Sequence, residues 1–188
     1  MAITINGNGT VTGLAVGGLP DGCVDADTLA AGAASGTKLT MPSGSVVQVV
    51  QTYHDSLVTI SGSSEQDFGL TCTITPKASG NKILVSMTGC CGSEATDNFG
   101  RGFFKVSVGG GSDTNIGDHF FIGNRMSHQS KDISVWTHDY LYTTSSASAH
   151  TFKLGYRVID GSNMSIGGWA HDSNWKHRTV CTLTEIVA

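Results

Sequence analysis

The chain has 188 residues, a formal net charge of −4 and a charged-residue content of only 14%. Its 25 glycines and abundant serine and threonine exclude a helical bundle or coiled coil, which needs far more Glu, Lys, Ala and Leu. The 11 basic residues are scattered along the chain, so no basic face for nucleic acid is visible, and no apolar run is long enough to insert into a membrane. The composition predicts an all-β protein.

The first 44 residues form a distinct, extended segment. Residues 2–14 alternate small β-formers with Asn-Gly turn signals, and a glycine-rich loop follows. One short helix is predicted after Asp25 or Asp27, because either residue can cap residues 28–31 before Gly32 ends the helix. The segment has too few large apolar side chains for its own core and must lie on the main domain, on neighbouring subunits or on a larger partner. We expect these side chains to serve in assembly: Ile3, Ile5, Leu14, Leu19 and Leu29.

Residues 45–188 show regular β patterning. The continuous apolar run at residues 46–51 predicts a strand that is covered on both faces. Further strands are predicted from the patterns at residues 70–75, 83–87, 103–108, 133–142, 151–158 and 179–187. Short strands separated by Gly, Ser and Asn turns predict an antiparallel, jelly-roll-like β-sandwich as the second domain.

The cysteines and histidines do not have the spacing of a metal site. Five cysteines occur without a CxxC pair, which predicts reduced thiols in a protein assembled in a cytoplasm. The neighbours Cys90 and Cys91 allow either a strained bridge or two buried thiols. His-Asp pairs, such as His138 with Asp139, point to opposite faces of a strand, so we predict no metal and no cofactor. A metal held by His138 on a three-fold axis is the alternative.

No pattern in the sequence predicts an enzyme, since it lacks a nucleophile elbow and a phosphate-binding loop. The polar loop at residues 171–178 favours binding, because Trp faces stack on sugar rings while Asn and His hydrogen-bond hydroxyls. We predict a receptor-binding loop that contacts a host surface glycan through Trp169, Asn174, Trp175 and His177. The alternative places Trp169 in the core and Trp175 in a subunit contact.

The order of segments resembles the tail-fibre-like virion proteins of bacteriophages, including cyanophages. The resemblance extends over most of the chain and is carried by residues 3–14, 17–22, 24–30, 44–51, 73–76, 82–85 and 182–186. It implies a trimeric, β-rich fibre or spike with a jelly-roll-like terminal domain, located in the virion and assembled in the host cytoplasm.

The function expected from the sequence is therefore structural. A short tail fibre would attach to other virion proteins through its N-terminal segment and contact the host through its β-domain, as a homotrimer. The alternatives are a capsid decoration, cement or head-fibre protein on the phage head and, less favoured, a carbohydrate-binding module.

Overall fold

The structure is a computed structural model that describes residues 4–5, 11–12, 41–93, 99–123, 133–160, 163–168 and 177–188. None of these ranges contains a helix with the length and apolarity of a membrane span. The chain divides into two compact units, Met1–Met41 and Pro42–Ala188.

Two short strands are described in the first unit. They are β1 (Thr4–Ile5) and β2 (Val11–Thr12), which pair antiparallel with Ile5 opposite Val11. The helix predicted after Asp25 or Asp27 lies outside the described residues, as do four of the predicted assembly residues: Ile3, Leu14, Leu19 and Leu29.

The described part of the second unit consists of strands in two antiparallel sheets. The strands are β3 (Val46–His54), β4 (Val58–Ser61), β5 (Gln66–Ile74), β6 (Lys82–Ser93), β7 (Phe99–Val108), β8 (Thr114–Gly123), β9 (Ile133–Thr143), β10 (His150–Asp160), β11 (Asn163–Ile166) and β12 (Thr179–Ile186). In sheet 1 the strand order is β3-β12-β6-β9. In addition, β11 pairs with the C-terminal end of β6, and β4 pairs with β11. Sheet 2 has the order β5-β10-β7-β8.

The core lies between the two sheets because the strands alternate in burial. In β12, Cys181 and Leu183 are fully buried, while Thr182 and Thr184 on the opposite face are partly exposed. The same alternation in β5 buries Leu70. Inward side chains of both sheets form one apolar cluster. The predicted all-β class and antiparallel two-sheet sandwich are confirmed.

The first strand of the sandwich differs from its prediction. Among the described strands, β3 has only β12 as a hydrogen-bonded neighbour and lies at the edge of sheet 1. Val46 and Val49 are 54% and 58% exposed, so the prediction of a strand covered on both faces is wrong. A continuous apolar run does not specify whether a strand is central or at an edge. Here it makes both faces of an edge strand apolar.

A glycine in β10 allows an aromatic ring to lie over the outside of sheet 2. Gly155 is directly opposite Phe103 of β7, and a Cβ on Gly155 would lie 2.1 Å from a ring carbon of Phe103. We predict that Gly155→Ala lowers the thermal midpoint by several degrees, since overpacking costs about 1–3 kcal/mol. Circular dichroism melting measures the shift. Adding Phe103→Leu to the alanine variant should recover part of it, and an unchanged midpoint in Gly155→Ala would contradict the packing.

Candidate assembly surface

The outer face of sheet 1 is formed by the outward side chains of β3, β12, β6 and β9. The register sets these side chains in cross-strand rows, each with one residue from every strand. The rows are Tyr53, Val180, Thr88 and Thr137; then Gln51, Thr182, Ser86 and Asp139; then Val49, Thr184, Leu84 and Leu141; and last Val46, Ile186, Lys82 and Thr143.

The last two rows contain an apolar band, which we define as Val46, Val49, Leu84, Leu141 and Ile186. Leu141, at the β9 edge, is 49% exposed and Val49, at the β3 edge, is 58% exposed. Most of the exposed large apolar residues in the described ranges lie on this one face: Val46, Val49, Tyr53, Val135 and Leu141. A concentration of exposed apolar side chains on one face is typical of an interaction surface.

The polar side chains of the same face hydrogen-bond to one another. The Thr88 and Thr137 hydroxyls are 3.1 Å apart, and the Gln51 amide donates to the Thr182 hydroxyl at 2.9 Å. These pairs keep their hydrogen bonds when water is removed, which lowers the free energy needed to cover the face.

The outer face of sheet 2 is charged instead. Register places Lys153 directly opposite Lys105, and Arg157 directly opposite Arg101. Four of the basic residues are therefore neighbours in the sheet although they are scattered along the chain. The clustering arises from pairing between strands that are about 50 residues apart in sequence, which a pass along the chain does not show.

Ion pairs accompany these cations. Lys105 bonds Asp67 at 2.7 Å, and Lys153 bonds Asp113 at 2.8 Å. The hydrogen bond with Asp113 raises the pKa of Lys153. The Asp67 and Lys153 side chains are 45% and 27% exposed, so both pairs are hydrated and each contributes little to stability. This face is suited to solvent.

The predicted receptor-binding loop is described only at its end. Trp169, Asn174 and Trp175 lie outside the described residues. His177 is exposed, and its backbone N–H donates to the carbonyl of Gly167 at 2.9 Å. The neighbouring Arg178 guanidinium lies 4.3 Å from the ring centroid of Tyr53. His177 therefore lies next to the first row of the sheet 1 outer face.

The histidine that was singled out for a metal packs inward. The ring of His138 stacks on Phe120 at 4.1 Å between centroids and lies 5.5 Å from Phe104. The aromatic face of β9 thus contributes to the edge of the core. Within the ranges described above, no group of three His, Cys, Asp or Glu side chains could hold a metal ion.

The described cysteines, Cys72, Cys90, Cys91 and Cys181, are free and buried. Of the two alternatives for Cys90 and Cys91, buried thiols are confirmed. The Cys91 thiol donates to the Ser134 carbonyl at 3.6 Å, and burial raises its pKa to about 12. Such a thiol is protonated and unreactive at neutral pH.

Comparisons with known proteins find similarity in structure only. No family model and no curated protein matches the sequence. A structure of the infectious bursal disease virus Gx strain is similar with a TM-score of 0.43 and 8% identity, over 75% of this chain and 37% of that chain. The VP2 subviral particle of infectious bursal disease virus is similar with a TM-score of 0.40 and 7% identity, over 75% of this chain and 38% of that chain. A mitogen derived from Yersinia pseudotuberculosis is similar with a TM-score of 0.28 and 12% identity, over 73% of this chain and 86% of that chain.

The chain thus spans less than two fifths of the two viral proteins that it matches. At TM-scores below 0.5 these similarities carry no argument about the function of this chain.

Proposed function

We propose that this chain is a non-enzymatic structural protein of a bacteriophage particle. It forms a homotrimeric short tail fibre in which the outer face of sheet 1 packs against neighbouring copies. The contrast between the two outer faces carries this proposal. One face presents an apolar band with self-paired hydroxyls, and the other presents ion pairs and paired cations.

Charge favours a second copy of the chain as the occupant of the sheet 1 face. Its four rows contain one cation, Lys82, and one anion, Asp139. In a homotrimer the same face of all three copies converges on the three-fold axis, where like charges repel one another, so a nearly uncharged face is suited to this contact. On the outer face of sheet 2, the same contact would remove water from the Lys105–Asp67 and Lys153–Asp113 ion pairs, which costs free energy.

The dimensions of the face indicate what else the assembly needs. Four strands about 4.8 Å apart and roughly seven residues long cover about 400 Å². A stable interface buries about 800 Å² per partner. We propose that residues 1–44 supply the remainder by lying on neighbouring copies and on other virion proteins, which is the role expected from their sparse apolar side chains.

The strand order supports a jelly roll as the architecture of the sandwich. Apart from the four-residue strands β4 and β11, which extend sheet 1, the chain passes from β3 in sheet 1 to β5 in sheet 2, to β6 in sheet 1, to β7 and β8 in sheet 2, to β9 in sheet 1, to β10 in sheet 2, and finally to β12 in sheet 1. Eight strands that alternate in this way between two sheets make up the jelly roll, a fold found in viral capsid and lectin domains.

Labelling of purified virions with an antibody to this chain, followed by electron microscopy, tests the function. We expect label on the tail. Label on the head would instead support the alternative, a capsid decoration or head-fibre protein. If the host lysate contains the chain but the purified virions carry no label, the chain is not part of the particle.

For the contact with the host, we propose that the loop ending at His177 binds a surface glycan. We predict that Trp175→Ala lowers adsorption of particles to host cells about tenfold, since truncating a central aromatic residue commonly has an effect of this size. Asn115→Ala, at an exposed position on β8, is the control and should adsorb normally. Undiminished adsorption of the Trp175 variant would show that the loop does not contact the host.

A further inference from the structure

Two buried cysteines lie where the two sheets of the sandwich approach one another. Cys72 is on β5, the edge strand of sheet 2, and Cys181 is on β12 of sheet 1. Their side chains point into the core and are 1% and 0% exposed. Cα atoms of β5 and β12 come within 8 Å of each other, whereas stacked sheets are ordinarily about 10 Å apart. The layers therefore converge at this edge.

The two thiols lie beside the same stretch of β3. The Cys72 thiol donates to the carbonyl of Val50 at 3.9 Å, and Cys181 is the direct cross-strand partner of Thr52, two residues further along. The Thr52 hydroxyl donates to the Thr71 carbonyl at 2.8 Å and ties the edges of the two sheets together. The sulfur atoms are thus adjacent, and their strands are held in place by bonds that do not involve sulfur.

The two thiols also differ in reactivity. Acceptance of the Cys181 proton lowers the pKa of Cys72. The pKa of Cys181 is raised, because it holds the shared proton and is buried. A thiol with a lowered pKa is the one that attacks a disulfide.

We propose that Cys72 and Cys181 are a modification site, a dithiol that a low-molecular-weight disulfide oxidises to a covalent cross-link between the two sheets. This inference is independent of the proposed function.

The reaction proceeds by two exchanges. The Cys72 thiolate attacks one sulfur of the small disulfide, forms a mixed disulfide and releases one thiolate. The Cys181 thiol passes its proton to the released thiolate as its sulfur attacks Cys72, forms the Cys72–Cys181 bond and releases the second thiolate. Two protein thiols are oxidised and one small disulfide is reduced to two thiols, so atoms and electrons balance.

The other described cysteines do not offer this geometry. Cys90 and Cys91 are consecutive on β6 and therefore point to opposite faces of sheet 1.

The oxidant reaches Cys72 by local opening of the edge strands β3 and β5, which requires less free energy than global unfolding.

The cross-link has a large expected effect on thermal stability. It closes a loop of about 110 residues, and loops of this length restrict the unfolded chain strongly. For a domain of this size the thermal midpoint of the oxidised form should lie roughly 10 °C above that of the reduced form.

The test uses the purified full chain, incubated in its folded state with oxidised glutathione. Free thiols are then alkylated, and peptides are mapped by mass spectrometry without reduction. We expect one bridged peptide pair containing Cys72 and Cys181, a raised thermal midpoint, and loss of both on adding dithiothreitol. Alkylated Cys72 and Cys181, glutathione adducts alone, or a bridge to a different cysteine would each overturn the proposal.

Variants give a second measurement. Cys181→Ala should abolish both the bridge and the oxidant-dependent rise in midpoint. The double variant Cys90→Ala/Cys91→Ala should keep both. If the double variant loses the rise, the stabilising bridge lies elsewhere. The peptide map of the wild-type chain decides the question even if a variant does not fold.

Discussion

Replacement of Glu185 by alanine is expected to lower the free energy of unfolding by about 3 kcal/mol. Glu185 is fully buried at the inward face of β12. Its carboxylate accepts hydrogen bonds from the backbone N–H of Lys77 at 2.7 Å and from the side-chain amides of Asn81 at 2.6 Å and Gln48. Alanine leaves the buried amide of Asn81 and the backbone N–H of Lys77 without this acceptor, while the Gln48 amide keeps its hydrogen bond to the Thr75 carbonyl. Equilibrium urea denaturation at a fixed protein concentration measures the loss.

An exchange of the two partners provides the control for this prediction. Gln48 is the direct cross-strand neighbour of Glu185. Glu185→Gln alone should be destabilising, because its new amide donor faces the amide of Gln48. Combined with Gln48→Glu it should recover part of the stability, since the new carboxylate accepts from the new amide but loses the hydrogen bond that Gln48 donates to the Thr75 carbonyl. An alanine variant within about 0.5 kcal/mol of wild type, or a swap that recovers nothing, would contradict the network.

Two aspartates in the apolar band are expected to weaken association of the chain by at least a hundredfold. Val49 and Leu141 lie at opposite ends of one row of the sheet 1 outer face. In the assembly, Val49→Asp and Leu141→Asp bury two unpaired charges per copy, and each unpaired buried charge costs several kcal/mol. In a separated copy both positions are exposed, so the fold remains. Sedimentation equilibrium over a concentration series measures the change.

The control places one aspartate on the opposite face. Ile159 is the exposed large apolar residue on β10, in sheet 2, and is 37% exposed. Ile159→Asp should leave the association constant unchanged within about twofold, since that face is already charged. Circular dichroism of all variants confirms that each is folded. If Ile159→Asp dissociates the protein and the double variant does not, the assembly face has been assigned to the wrong sheet.

The fold class could be predicted because it depends on local patterns. Alternation of apolar and hydroxyl residues across β5 and β12 specifies strands with one buried face, and glycine-rich turns separate them. Strand β8 was missed. Its segment contains Asn115, Asp118 and His119, and Gly117 has a positive φ of 70° next to an irregular pairing with β7. The apolar alternation is interrupted there, and partner strands rather than local sequence stabilise it.

The candidate assembly surface could not be predicted, because its rows join strands that are distant in sequence. Val49 and Leu141 are brought into one row only by pairing through β12 and β6. The same holds for the contact between Cys72 and Cys181 and for the opposed lysines of sheet 2. Glu185 was missed for a different reason. A charged residue at an inward position is ordinarily avoided, and only its three donors make the position acceptable.

Sedimentation velocity of the wild-type chain at micromolar concentration is the most direct test, since association between copies underlies both the proposed fibre and the assigned face. We expect a single species with three times the chain mass of 19.6 kDa, and the two aspartates in the apolar band should reduce it to the chain mass. A wild-type chain that sediments at 19.6 kDa across the whole concentration range would contradict it.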